Sequence, residues 1–148
     1  MPEQVSAHYR TLSADELTMA QLRHYERLCP RVEALIKAHA TEATERLVLE
    51  GSGVFPERVA ALNLPHVAAL WLTADATTLQ KRIFMANRYE QRGADEQLLL
   101  DQFLARSTRY QKRMLEVIRR LGLTSIDTSA DPSTDELLQR CPDLTAAR

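Results

Sequence analysis

Three short runs of strand-like residues constrain the fold of this chain most strongly. They span residues 47–50, 67–72 and 123–127, and each is bounded by glycine, proline or polar residues. Such runs are too short for a helix, and the run 67–72, which is apolar throughout, suits a strand that a sheet buries on both faces. Helical periodicity marks the segments between them. An alternation of strands and helices predicts an α/β fold, a parallel sheet with helices on both of its faces.

The helical segments carry recognisable start and stop signals. Ser13 and Ser133 each precede a glutamate by three residues, which is the spacing of a capping box. Pro30 predicts that one helix ends before it and that another follows through residue 44. Pro56 suits the first position of a helix, because its missing amide would have no partner there. The longest segment, 93–122, ends at a glycine that suits a left-handed helix terminus.

Composition limits the classes of function. The chain has 148 residues, of which 45% are hydrophobic, so it can form one domain with a buried core. A net charge of −1 gives no bulk attraction to nucleic acid or to an anionic membrane. Cys29, Cys141 and the histidines show no spacing typical of metal ligands. We therefore expect a cytoplasmic protein without a metal site, a nucleic-acid partner or a membrane partner.

The order of the segments resembles that of a known family. LVLEGSGVFPERVAAL is followed by VAALWLTADATTLQKRI and then by FLARSTRYQKRMLEVIRRLGLTSIDTS. The chain from about 25 to 140 is similar to the later two-thirds of P-loop kinase-like proteins of the nucleotide-kinase and shikimate-kinase type. It resembles 2-phosphoglycerate-kinase-like and AAA-type proteins more closely still. The resemblance implies a three-layer P-loop-kinase-like parallel sheet, with a helical lid-like region at about 77–121 in one domain.

The phosphate loop of that family has no counterpart here. Such kinases hold the β- and γ-phosphates with a G-x-x-x-x-G-K-[ST] loop, and this sequence contains no Gly-Lys pair. The resemblance therefore implies a sheet without its first strand, in either a piece of a longer parent or a remnant. An intact parent would use ATP, Mg²⁺ and a small-molecule acceptor. We expect no cofactor and no turnover for this chain alone.

Glu50 is the candidate catalytic residue. It ends the first apolar run, and α/β sheets place ligands at the carboxyl ends of their strands. The resemblance implies that Glu50 holds a magnesium-bound water or accepts a proton from the acceptor hydroxyl. The alternative, which we favour for this chain alone, is a surface carboxylate paired with Arg58. Gly51 and Gly53 are interpreted as a sharp turn after the strand.

Three arginines of the helical segment are candidate lid or phosphate ligands, since a planar guanidinium suits the charge of a transferred phosphoryl group. They are Arg88, Arg92 and Arg106. The alternative, which we favour, is a solvated helix face with ion pairs between Arg92 and Glu96 and between Arg113 and Glu116.

The turn after the last apolar run is the candidate nucleotide-base loop. The resemblance implies that Ser129, Asp131 and Pro132 lie where such kinases hold the adenine base. An ordinary capped turn is an equally good interpretation of the same residues.

Three hypotheses for the whole chain follow. It is the acceptor- and lid-bearing portion of an ATP-dependent small-molecule phosphotransferase, a non-catalytic interaction or regulatory domain on the same scaffold, or an unrelated helical protein. The missing strand would lie between the runs 47–50 and 67–72. Because open sheet edges recruit other chains, we expect the chain to associate with another copy or with the missing segment.

Overall fold

Helices dominate the structure, a computed structural model that describes residues 3–41 and 47–141. About 70% of the described residues are helical. The elements are α1 (Glu3–Thr11), α2 (Ala14–Thr41), α3 (Pro56–Leu62), β1 (Trp71–Thr73), α4 (Ala76–Asn87), α5 (Ala94–Leu121), β2 (Ser125–Asp127) and α6 (Thr134–Arg140). A single turn of 3₁₀ helix, Tyr89–Gln91, joins α4 to α5.

The predicted three-layer α/β fold is wrong. In the described part of the chain the sheet has only the two strands β1 and β2. The predicted strand at 47–50 is irregular, and Val48 within it is 90% exposed. A strand is stable only when a neighbouring strand pairs with its backbone, and no described strand lies beside this segment. Within the described residues, the run 47–50 therefore has no neighbouring strand to pair with, and its side chains are exposed.

Short strands do form at the other two runs. β1 and β2 are parallel neighbours, with Trp71 opposite Ser125 and Thr73 opposite Asp127. Burial of the pair is uneven, since Ile126 is 5% exposed whereas Leu72, which lies opposite it on the same face, is 62% exposed. The prediction that the run 67–72 would be buried on both faces is therefore wrong.

The local signals at helix ends are confirmed. The amide of Ser13 donates to Glu16 Oε2 at 2.8 Å, and Ser133 begins α6 with a complete capping box. Gly122 ends α5 at a φ of 62°. Pro30, however, lies inside α2 and does not separate two helices. A proline in a helix removes one amide donor, but burial of Cys29 beside it keeps this stretch packed as one helix.

The long helix α5 lies at the centre of the packing. It contacts α1, α2, α3 and α4. One core cluster contains Leu22, Cys29, Phe55 and Met114, and a second contains Tyr9, Leu17 and Leu99. The chain thus buries its apolar side chains mainly between helices, and the small sheet lies at one side of this helical core.

Candidate functional site

A cleft of about 480 Å³ opens where β1 and β2 end. Open α/β sheets bind their ligands at the carboxyl ends of parallel strands, which is the position of this cleft. It is lined by Leu72, Thr73, Ala74, Leu79, Arg82, Gln111, Thr128, Asp131, Pro132 and Leu137. Both strand ends, α4, α5, α6 and the turn after β2 thus contribute to one concave surface.

Backbone and side-chain hydrogen bonds hold the two strand ends together. The amide and the hydroxyl of Thr128 both donate to the carbonyl of Thr73, each at 2.8 Å. The side-chain amide of Gln111 donates to the carbonyl of Ala74, which fixes α5 to the end of β1. These carbonyls are therefore satisfied within the protein, and the floor of the cleft is fixed before any ligand binds.

Arg82 connects α4 to the turn after β2. Its Nη1 donates to Thr128 Oγ1 at 2.9 Å, and its Nη2 donates to the Thr128 carbonyl at 2.7 Å. The same guanidinium binds Asp131 Oδ1 at 2.6 Å, and Lys81 Nζ lies 3.4 Å from the other carboxylate oxygen. Hydrogen bonds from Arg82 and then Lys81 hold the pKa of the Asp131 carboxyl below its usual range. The positive charge of Arg82 is thus largely compensated.

The turn after β2 is also tied to the start of α4. Ser129 Oγ accepts a hydrogen bond from the amide of Asp75 at 2.7 Å. Asp75 Oδ1 in turn accepts from the amide of Thr78 at 2.6 Å, which makes Asp75 the N-cap of α4. Hydrogen bonds from the side chain and the amide of Ser129 lower the pKa of the Asp127 carboxyl. This network sets the position of the cleft rim.

The three residues predicted for a nucleotide-base loop are brought together at this cleft. Asp131 and Pro132 line it, and Ser129 anchors the same turn to α4. Asp131 adopts a φ of +49°, a left-handed conformation that aspartate and asparagine tolerate better than most residues. The same residues therefore form both a polar turn and the rim of the cleft.

Glu50 lies elsewhere. It is exposed, it belongs to an irregular segment where a strand end was predicted, and it does not line the cleft. Arg58, its predicted ion-pair partner, lies 3.5 Å from Glu33 instead. The turn that follows Glu50 is held by two tyrosines, since the Tyr25 hydroxyl lies 2.7 Å from Ser52 Oγ and the Tyr110 hydroxyl donates to the Ser52 carbonyl.

The three candidate arginines do not meet at one site. Arg88 terminates α4 in a left-handed conformation, and its amide donates to carbonyls of that helix. Arg92 donates to the carbonyl of Asn87 at 2.9 Å and forms the predicted pair with Glu96 at 3.3 Å. Arg106 lies within α5, about 18 Å along the helix from its first residue, Ala94, by the helical rise per residue. None of the three lines the cleft.

Arg106 is packed against aromatic rings. Its guanidinium carbon lies 4.6 Å from the centroid of Phe103 and 5.7 Å from that of Tyr9. A guanidinium over a ring is attracted to the π face. In this structure Arg106 stabilises the packing of α1 on α5 and does not face the cleft.

Two residues of the cleft, Arg82 and Gln111, were not predicted from the sequence. Each of them acts through a partner that lies far away in the chain, such as Thr128 for Arg82 and Ala74 for Gln111. The available signal was the position of Thr73 and Thr128, which directly follow the runs 67–72 and 123–127.

Comparisons with protein families, with characterised proteins and with solved structures find no match. Across residues 3–41 and 47–141, no group of three or more histidine, cysteine, aspartate or glutamate side chains could hold a metal ion. No helix in the same residues is long and apolar enough to cross a membrane.

Proposed function

We propose that this chain is the acceptor- and lid-bearing portion of an ATP-dependent small-molecule phosphotransferase, and that its cleft holds the nucleoside part of the nucleotide. One observation carries the proposal. The cleft lies at the carboxyl ends of two adjacent parallel strands, and the 128–132 turn forms its rim. Its volume is within the range of small-molecule sites.

The charge distribution favours an uncharged ring over a phosphate in this cleft. Arg82 is the only cation that lines it in the described part of the chain, and Asp131 compensates that charge. Leu72, Leu79 and Leu137 provide apolar surface for the faces of a heterocycle. A phosphate would need free donors, whereas a base needs apolar contact with a few polar groups at its edge.

Turnover would require parts that this sequence does not supply. Phosphoryl transfer depends on groups that position and neutralise the phosphates, and the glycine-rich loop with its lysine provides most of them. Under this proposal, phosphoryl transfer from ATP with Mg²⁺ to the acceptor occurs only in an intact parent, whereas this chain alone binds the nucleoside part of the nucleotide. Glu50 and the three candidate arginines, Arg88, Arg92 and Arg106, would act there and not in this chain alone.

Nuclear magnetic resonance titration tests the nucleoside cleft. Adenosine and ATP should both shift the amide resonances of residues 73–75 and 128–132, with dissociation constants that differ by less than about threefold, because the cleft provides no phosphate ligands. Leu137→Trp fills the cleft and should abolish these shifts. Leu138→Trp is the matched control, since Leu138 is 65% exposed and does not line the cleft. ATP binding without adenosine binding would contradict the proposal.

A second candidate function is a non-catalytic interaction domain, and the free edge of β1 favours it. The Trp71 amide and the Thr73 carbonyl are bonded towards β2, so the backbone groups of Leu72 between them point away from β2. The exposed side chains of Leu72 and Val48 add apolar surface. We propose that a second copy of the chain, or an absent segment of a parent, covers this edge.

A cytoplasmic location belongs to both proposals, because Cys29 and Cys141 are free thiols.

A further inference from the structure

A second cavity, of about 320 Å³, lies between α3 and α5. It shares no lining residue with the cleft at the strand ends. Glu57 of α3 lines it from one side, and Arg113, Glu116, Val117 and Arg120 line it from α5. Two cations and two anions thus surround one buried apolar residue, since Val117 is 7% exposed.

The four charged groups leave one another unpaired. Glu116 lies three residues after Arg113 and four before Arg120, which are spacings at which helix ion pairs form readily. No ion pair within 4.0 Å nevertheless involves any of the four in the part of the chain that the structure describes, so the predicted pair of Arg113 with Glu116 is not formed. The pair between Arg92 and Glu96 on the same helix does form. Arg113, Glu116 and Arg120 are exposed, so their charges are available to a ligand.

One of these groups is both occluded and unsatisfied. Glu57 Oε2 is buried and has no hydrogen-bond donor in the described residues. Tyr110 is a nearby phenol, but its hydroxyl donates to the Ser52 carbonyl. Leaving a buried acceptor without a donor is costly, so an N–H group of a ligand that reached Glu57 Oε2 would remove that cost.

We propose that this cavity binds a free α-amino acid. The carboxylate of the ligand lies between Arg113 and Arg120, and its ammonium group donates to Glu57 and Glu116. Its side chain packs over Val117. A simple anion would face two carboxylates and a simple cation would face two guanidinium groups, whereas a zwitterion satisfies both pairs.

Binding of three small molecules of similar shape tests the charge requirement. L-Valine carries both charged groups, isovalerate lacks the ammonium and isobutylamine lacks the carboxylate. L-Valine should shift the amide resonances of residues 56–62 and 113–121 in a saturable way. Each truncated analogue should bind at least about tenfold more weakly, the factor expected from the loss of a charged hydrogen bond. Equal binding of isovalerate, or no saturable shift with L-valine at tens of millimolar, would overturn the proposal.

Charge-removing variants test the assigned residues. Arg113→Gln, Arg120→Gln and Glu57→Gln should each weaken L-valine binding by about tenfold. Arg119→Gln is the matched control, because Arg119 is an exposed arginine of the same helix that does not line the cavity. Circular dichroism verifies that every variant keeps its helix content. A loss of affinity in Arg119→Gln as large as in Arg113→Gln would also overturn the proposal. The adenosine titration is independent of both results, because it reads a different set of residues.

Discussion

Asp131 gives the cleft rim both its backbone shape and its charge balance. Its φ of +49° turns the chain after β2, and its carboxylate holds the guanidinium of Arg82 at 2.6 Å. Asparagine tolerates the same backbone conformation but cannot neutralise an arginine. The exchange of aspartate for asparagine therefore separates the effect of the charge from that of the turn.

The lowered pKa of Asp131 predicts a specific dependence of stability on pH. A carboxyl whose pKa is lower in the folded state than its ordinary 3.8 stabilises the fold above that value. This stabilisation is lost as the pH falls through the folded-state pKa. Asp131→Asn should therefore be less stable than the wild type near neutral pH, and the difference should shrink below about pH 4. Urea unfolding followed by circular dichroism at several pH values measures it.

Glu26→Gln is the control for this series. Glu26 is exposed in the interior of α2, and its side chain takes part in no hydrogen bond or ion pair in the described residues. Its replacement should not reproduce the pH-dependent loss of stability of Asp131→Asn. A stability difference between the wild type and Asp131→Asn that stays constant down to pH 2 would show that the carboxylate charge is not what holds Arg82.

The sequence predicted the polar turn after β2 but not the residues that bind it. Ser129, Asp131 and Pro132 were recognisable as a polar turn from their residue types alone. Arg82 was not, because its bonds to Thr128 and Asp131 depend on how α4 packs beside β2. Glu50 was misplaced for the same kind of reason, since a strand end exists only where a neighbouring strand is present.

Among the secondary-structure elements, α4 carries Arg82 and Leu79 to the cleft. Its start is fixed by Asp75, whose side chain caps the helix and whose amide donates to Ser129 Oγ. Helix α4 is therefore anchored at the end nearest the strands. The capping bond of Asp75 stabilises the position of the cleft wall as well as the helix itself.

Removal of this cap should weaken the protein measurably. Asp75→Ala deletes the acceptor for the Thr78 amide and should lower the free energy of unfolding by about 1 kcal/mol. Asp75→Asn keeps a capping oxygen and should cost only a few tenths of that amount. Guanidinium chloride unfolding of the three proteins compares them. Equal losses in both variants would mean that the charge of Asp75, and not its capping bond, stabilises α4.

Helix ends were predictable because their signals are local. The two capping boxes, Pro56 and Gly122 all act within one or two turns of the residue that carries the signal. Strands and helix interiors were harder to predict from the sequence, because they depend on distant residues. Leu47–Leu49 has strand-like residues without a neighbouring strand, and Pro30 disfavours a helix that tertiary packing nevertheless completes.

The whole molecule is a helical core with a small and incompletely covered sheet. α5 organises the core through its contacts with four other helices. The sheet contributes the cleft, but no described strand pairs with the second edge of β1, and the side chain of Leu72 is exposed. The apolar segment at 47–49 is exposed as well. A molecule with these features has apolar surface that association would bury.

Self-association through the edge of β1 is therefore the expected behaviour at micromolar concentration. A lysine on an edge strand opposes pairing with another chain, so Leu72→Lys should shift the molecule towards monomer without changing its helix content. Leu138→Lys is the matched control, since Leu138 is 65% exposed, close to the 62% of Leu72, but lies on α6. Sedimentation velocity over a concentration series compares the three proteins. A wild type that stays monomeric, or an equal effect of Leu138→Lys, would contradict association at this edge. Of these two leucines, only Leu72 combines exposed apolar surface with unpaired strand backbone.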